Sequence, residues 1–439
     1  MATILIIGGG LAGLATAAAL GSAGHQVKVL EARGFLGGRA TSYPFPGTTD
    51  EAIDNCQHIL LRCCVNLIDF YRRLGVEDRI EFHREFFFME PGGRTSILKG
   101  GLFPYPLHFA ESFLSMKCLT LSDKLGIGRA LIAVLFEYGK RADLDRITMR
   151  QWLQEKRQSV NSIERFWRQV LVSAINEELD QMAASHGLQV FRVAFLGSGD
   201  SYEMGIPRVP LAELYGEDAW KQLPSVEIVT RRTVDAIEVF EGRVSAVMSA
   251  GERLIADVYV SALPFERLQP LMPSLPIDWS VFTHSPITGI HLWFDRPITS
   301  LPHATLLDRT IQWMYNKSDG RHVQLVVSAS RSLTKMPRQD VIDLGLRELT
   351  EFFPLVREAR LEKAHVVKEV RATFSATPGL ESRRPLPATS MPNFFLAGDW
   401  TRSGWPATME GAVRSGYQAA DAVERSLGRG SGFLLPDIA

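Results

Sequence analysis

Thr3-Ile4-Leu5-Ile6-Ile7-Gly8-Gly9-Gly10-Leu11-Ala12-Gly13 stands almost at the start of the chain, and its reading decides the fold. Thr3 to Ile7 is a short apolar run, the mark of a strand covered on both faces. The glycines at 8, 10 and 13 follow in G-x-G-x-x-G spacing. In such a turn Gly8 permits the tight reversal and Gly10 lets a pyrophosphate approach the backbone, while Gly13 lets the next helix lie close on the strand. That helix is expected from about Leu11 to Ser22, with its N-terminal amides and dipole aimed at the phosphates. A second strand, Gln26 to Leu30, ends in Glu31, 18 residues past Gly13. A carboxylate there accepts hydrogen bonds from ribose hydroxyls. The glycine motif alone is weak, but strand, turn, helix, strand and acid in this order read as a dinucleotide cradle.

Composition narrows the rest. The chain has 439 residues, 46% hydrophobic and 22% charged, with 48 Lys+Arg against 49 Asp+Glu. That length suits two or three structural units. The balanced charge leaves no electrostatic footprint for nucleic acid, and the apolar content excludes general disorder. Four cysteines form no disulfide framework and indicate a reducing compartment. Cys63, Cys64, Cys118 and His186 read as structural, and no spacing suggests a metal site. No G-x-S-x-G elbow supports a hydrolase. Residues 2 to 24 carry no charge, long enough for a membrane span, yet six of them are glycine and no basic segment precedes them. A strand, a turn and an Ala-rich helix explain this run better.

Further motifs choose among nucleotide cofactors. Glu31-Ala32 leads into Gly37-Gly38-Arg39, which would wrap amides and a guanidinium around the same pyrophosphate. Asn393 to Asp399 reads as a buried strand closing on Gly398 and Asp399. A loop from Trp400 to Pro406 then enters a helix expected from Thr408 through Ala422. The helix N-terminus around Glu410-Gly411-Ala412 is suited to negative charge on a reduced flavin ring.

Together, Gly8 to Gly13, Glu31, Gly37-Gly38-Arg39 and Ala397-Gly398-Asp399 resemble the FAD-dependent amine oxidase and phytoene desaturase superfamily. More narrowly, Leu396 to Thr401 followed by Gly404 to Gly416 is similar to the hydroxysqualene dehydroxylases, the squalene-associated desaturase-like enzymes of hopanoid synthesis. Ile53-Asp54-Asn55-Cys56-Gln57-His58 and Gly205 to Pro210 also resemble that family, and the likeness runs from end to end. Cys56 departs from it, standing where a glycine is expected. The resemblance implies FAD as cofactor, with Trp405, Pro406, Thr408 and Met409 beside the isoalloxazine ring. It also implies reduction of hydroxysqualene to squalene, with the flavin re-reduced by an external, unidentified donor.

The fold implied is α/β: a discontinuous Rossmann-like FAD-binding domain with an inserted α+β substrate domain. The FAD part comprises 1–79, 206–274 and 371–439, and the substrate part 80–205 and 275–370. Val226 to Leu263 alternates like sheet and should rejoin the FAD part. The first insert reads as helix-rich and the second as strands with a helix. The tail from Leu427 to Ala439 has no helical period and reads as a frayed end.

Aromatic residues crowd Phe86-Phe87-Phe88, Phe103, Tyr105, Phe109 and Phe113. An apolar helix pattern follows from Leu125 to Tyr138. Helical spacing alone favours core packing, whereas the resemblance implies a tunnel for a long isoprenoid opening toward a membrane. The expected location is cytoplasmic, peripheral at the inner membrane face. Loss of hydroxide requires an acid, and Asp54, Gln57 and His58 are the candidate catalytic residues, with Asp54 or His58 donating the proton. The competing reading of Asp54-Asn55 is a cap for a helix running through Leu61 and Ile68. Rival functions are a carotenoid-type desaturase, an amine oxidase and a non-catalytic isoprenoid-binding protein.

Overall fold

A computed structural model describes residues 1–45, 52–430 and 432–438. Five short strands build a parallel sheet in the order Val226–Val229, Gln26–Leu30, Thr3–Ile7, Val258–Ser261, Phe394–Leu396. The first strand of the chain therefore lies at the centre, paired on one side with its neighbour in sequence and on the other with residues 258–261. Both faces of such a sheet must be covered. The Leu11–Ser22 helix is buried along nearly its whole length, and the Met409–Ser426 helix lies against it. Their approach is close enough that a Cβ on Gly416 would stand 2.4 Å from the Ala12 carbonyl oxygen. Between the strands at 226–229 and 258–261 the chain makes a separate antiparallel sheet from Ala236–Phe240, Arg243–Ser249 and Glu252–Leu254.

A second sheet has seven strands, ordered Leu361–Phe374, His284–Phe294, His322–Ser328, Trp313–Ser318, His303–Leu306, Glu85–Met89, Thr95–Lys99. Strands from both inserts thus share one sheet, joined where Thr305 and Leu306 run parallel to Phe88 and Met89. Side chains alternate across it. Phe86 and Phe88 join the large core beside the parallel sheet, whereas Phe87 and Met89 pack into a smaller one under the Arg338–Phe352 helix. The first insert begins with strands and turns helical only from Ala110. Its helices include Leu121–Glu137, Arg168–Ile175 and Ala184–Gln189. Leu60–Leu61, Met204–Pro207 and Ile80–His83 form a small sheet that ties the start and end of this insert together.

Two local readings are corrected. Asp54 ends a strand, Ala52–Asp54, and the next helix begins only at Val65, so Asp54 caps no helix there. The tail is docked rather than frayed. Leu435 donates its amide to Asn66, Gly432 and Phe433 donate theirs to Asp421, and Asp437 pairs with Arg414 at 2.8 Å. These partners lie 11 to 369 residues back, none at the spacing of helical neighbours, which is why helical periodicity gave no sign of them.

Candidate functional site

The turn after the first strand has the geometry its glycines imply. Gly8 sits at φ +110°, and a Cβ on Gly13 would fall 2.0 Å from the Gly8 oxygen, so the helix starts directly on the turn. Gly10 is the N-cap, with no side chain capping the first amides and no acid in the first turn. Those donors are the ones a pyrophosphate would occupy. A Cβ on Gly10 would meet only the Gly38 Cα, at 3.8 Å. The Gly37-Gly38 loop docks on this turn through Gly37 N to Gly9 O at 2.9 Å. Glu31 accepts from the amides of Gly9 (2.8 Å) and Arg33 (2.7 Å), which fixes its carboxylate at the mouth of the turn, with Ala32 exposed beside it.

Arg39 reaches from that loop to Asp399, 2.5 Å away, and also donates to the Ala372 oxygen. This pair joins the amino-terminal cradle to the segment after the fifth strand. Gly398 donates its amide to Ser415, so the Gly398-Asp399 turn is pinned to the Met409–Ser426 helix, on which Ala412 is half-buried. A residue that sequence reading missed holds the intervening loop. Arg384 is fully buried and its guanidinium donates to the carbonyls of Asp399 (2.7 Å), Trp405 (2.8 Å) and Thr401, to Ser403 Oγ, and to Glu381. An Arg-Arg-Pro sequence in a loop carries no local signal of this role. Trp405 is further fixed through its indole N–H to Asp437 at 3.1 Å, under the Arg414 guanidinium. The residues present fit an FAD: uncapped helix amides, a cradle closed by glycines, an acid at the second strand end and an arginine-carboxylate pair beside them.

Trp405, Pro406 and Met409 open onto a cavity whose lining also includes Phe86, Phe88 and Phe195 and is overwhelmingly apolar. The aromatic stretch is therefore divided. Phe86 and Phe88 line the cavity, Phe109 and Phe113 pack half-buried against the core, and Phe103 and Tyr105 face outward. Cys63 and Cys64 also reach the cavity wall. Glu410 lies on the same wall, with its carboxylate accepting from the amides of Asn66 and Leu67. It thus supplies, from across the fold, the cap that the Val65–Arg73 helix lacks in its own sequence.

The Asp54–His58 segment passes beneath Arg39, whose oxygen accepts from Asn55 Nδ2 at 2.6 Å. Asp54 is buried and bonded to Ser42 (2.6 Å), to the Leu211 amide and to Lys317 (3.0 Å); Lys317 also donates to Gln57 at 2.8 Å. Burial alone would raise the Asp54 pKa, but Lys317 and these donors outweigh it and hold the carboxyl below its usual range. His58 donates Nδ1–H to the Cys56 carbonyl at 2.9 Å, and burial lowers its pKa. At neutral pH one group is thus a carboxylate and the other a neutral imidazole, so neither stands ready as the acid expected above. Lys317, which joins Asp54 to Gln57, was not found by sequence reading because it lies 263 residues from Asp54. Cys56 is buried against Gly289 and does not adopt a positive φ, so the backbone there does not require the expected glycine.

The ion pair gives a test. Because the Asp54 pKa is depressed in the fold, its stabilisation is complete above the unfolded value, about 3.9, and is lost as pH falls through the folded one. Asp54→Asn should cost about 3 kcal/mol at pH 7 by stranding the Lys317 ammonium, and should flatten the acid limb of stability measured by urea unfolding.

The chain belongs to the flavin-containing amine oxidoreductase family, whose model matches residues 11–424, and its cofactor is FAD. It is 30% identical over 437 residues to a hydroxysqualene dehydroxylase from Rhodopseudomonas palustris, covering 96% of this chain and 98% of that one. It is 27% identical over 465 residues to a 15-cis-phytoene desaturase from Synechococcus elongatus, covering 96% and 95%. Among solved structures, a triple mutant of putrescine oxidase shares the fold with a TM-score of 0.75 at 17% identity, covering 97% of this chain and 99% of that one.

Proposed function

We propose that this oxidoreductase removes the hydroxyl group of a long isoprenoid alcohol, reducing hydroxysqualene to squalene, with electrons from an external donor. The observation that carries this reading is the apolar cavity lined by Trp405, Met409, Phe86, Phe88 and Phe195. Its walls suit a long hydrocarbon chain and offer few polar groups to anything else. The hydroxysqualene dehydroxylase relative and the Leu396-to-Gly416 resemblance support the dehydroxylase direction. Reduced FAD supplies the hydride when bound. The protein's own residues exclude water, present aromatic faces to developing positive charge and hold the chain in place. Asp54 and Gln57 act here by fixing the Lys317 ammonium, and the departing hydroxyl takes up a proton to leave as water. Asp54→Asn should lower turnover more than tenfold while FAD stays bound.

A phytoene-type desaturase is the second reading, favoured by the desaturase relatives. Anaerobic incubation with chemically reduced enzyme separates the two. Squalene formed from hydroxysqualene supports the dehydroxylase. Desaturation of phytoene by the oxidised enzyme, with hydroxysqualene left unconverted, overturns it.

A long isoprenoid alcohol is insoluble in water, so the protein has to draw it from a lipid phase. No helix among the described residues is long and apolar enough to cross a membrane. Yet Leu102, Phe103, Leu107 and Leu114 are exposed, as are Leu121, Leu125, Ile132 and Phe136 along the Leu121–Glu137 helix. The last four share one helix face, with Arg129 and Lys140 exposed nearby. Such a concentration marks an interaction surface, and we assign it to peripheral membrane contact. In liposome flotation, Leu125→Glu with Phe136→Glu should move most of the protein from the floating to the soluble fraction without loss of flavin.

A further inference from the structure

The segment from Gly432 to Ile438 is fastened to the two helices, Val65–Arg73 and Met409–Ser426, that give the apolar cavity Leu67, Met409 and Glu410. Asp421 accepts the amides of Gly432 (2.9 Å) and Phe433 (3.0 Å). Leu435 and Asn66 exchange two hydrogen bonds, Leu435 N to Oδ1 at 2.8 Å and Nδ2 to the Leu435 oxygen at 3.2 Å. Asn66 Nδ2 also donates to Glu410 at 2.9 Å. The third fastening is Asp437, whose Oδ1 accepts from Arg414 at 2.8 Å and from the Trp405 indole N–H at 3.1 Å.

Trp405 is 8% exposed and lines the cavity. Its backbone is engaged elsewhere: the amide donates to Ser403 Oγ at 3.3 Å, and the carbonyl accepts from Arg384 at 2.8 Å. What the residue has left to present to the cavity is its indole. Among the described residues Asp437 is the one acceptor for the indole N–H, and the Arg414 guanidinium lies over the ring at 5.5 Å. A ring turned the other way would set its N–H against apolar walls, which is costly. The backbone of Trp405 is thus set by Arg384 and Ser403, and the direction of its ring by a carboxylate 32 residues further on.

We infer that Asp437 is a positioning residue of the cavity, its carboxylate holding the Trp405 indole beside Arg414 and so setting that wall for a long apolar ligand. The inference rests on the reading of this cavity as an isoprenoid site, and it does not depend on which way electrons flow.

A cycle of single and double substitutions tests it, read as binding of radiolabelled squalene to flavin-loaded protein. Asp437→Ala should weaken binding about tenfold in the wild-type chain. Trp405→Phe, which keeps a ring but removes the N–H, should fall by a similar factor, and adding Asp437→Ala to it should cost less than about twofold more. Asp437→Asn keeps an acceptor for the indole and should stay within about threefold of wild type. The Asp437 side chain is 32% exposed and Arg414 keeps Glu410 at 3.7 Å, so the fold tolerates these changes; flavin content reports it. A tail that only stabilises the fold gives Asp437→Ala the same factor in both backgrounds. That result would overturn the inference, as would wild-type affinity in Asp437→Ala or an Asn variant that falls as far as the Ala one. Radiolabelled hexadecane is run alongside. If hexadecane shows the cycle while the wild type binds no squalene, the positioning role of Asp437 stands and the isoprenoid reading falls.

Discussion

Gly10→Ala is expected to give a protein that folds as stably as the wild type but purifies nearly free of flavin, whereas Gly13→Ala loses both stability and flavin. The two substitutions add the same methyl group to the same turn, and the structure separates their consequences. At Gly13 the new Cβ would lie 2.0 Å from the Gly8 oxygen and 3.0 Å from the Ala262 Cβ. Backbone must move to admit it, and overpacking of this kind costs about 3 kcal/mol. At Gly10 the backbone is already in an ordinary extended conformation, φ −78°. Its Cβ would touch only the Gly38 Cα at 3.8 Å, so the fold has no objection. What the methyl occupies is the space in front of the uncapped amides of the Leu11–Ser22 helix, where phosphate oxygens must come within hydrogen-bond distance. FAD absorbance per protein and urea unfolding together check the pair. Full flavin occupancy in Gly10→Ala would remove the pyrophosphate from this turn.

The contrast also shows which features were legible in the sequence. Those encoded by short-range pattern came through: the glycine turn, the strand ending at Glu31, the strand at 394–396 and the helix beginning after Thr408. Each rests on residues a few positions apart, where periodicity and turn chemistry act directly. The shared seven-stranded sheet was not legible, because pairing of Thr305 with Phe88 leaves no mark on either segment. Neither was the Asp54–Lys317 pair or the Asp437 dock. Each joins residues brought together only by the fold, and the first changes the chemistry assigned to Asp54. Asp54 looked like an acid because its partner was out of view. The aromatic stretch looked uniform because strand alternation divides it only once Phe86 and Phe88 have a cavity to face and Phe87 a second core.

Arg384→Met is expected to destabilise the protein by about 4 kcal/mol and to release FAD, although Arg384 belongs to none of the nucleotide motifs. The guanidinium is planar and forked, and five acceptors converge on it: Glu381, Ser403 and the carbonyls of Asp399, Thr401 and Trp405. Its face also lies over the Phe374 ring at 4.9 Å. Methionine fills comparable volume but leaves the Asp399 carbonyl unmatched, at about 1–3 kcal/mol, and leaves the Thr401 and Trp405 carbonyls only Ser403 as donor. Lysine cannot replace it, because one ammonium on a flexible stem does not span acceptors set by a rigid fork. The loop so released carries Asp399, which pairs with Arg39 at the cradle, and Trp405, which forms one end of the apolar cavity. Loss of Arg384 therefore disturbs the cofactor side and the substrate side at once, whereas Asp399→Ala should weaken FAD binding and leave the cavity's affinity for isoprenoids intact. Measuring flavin retention and squalene binding in both variants distinguishes the two roles. If Arg384→Met retained its flavin and kept wild-type stability, the 398–405 loop would have to be held by other contacts.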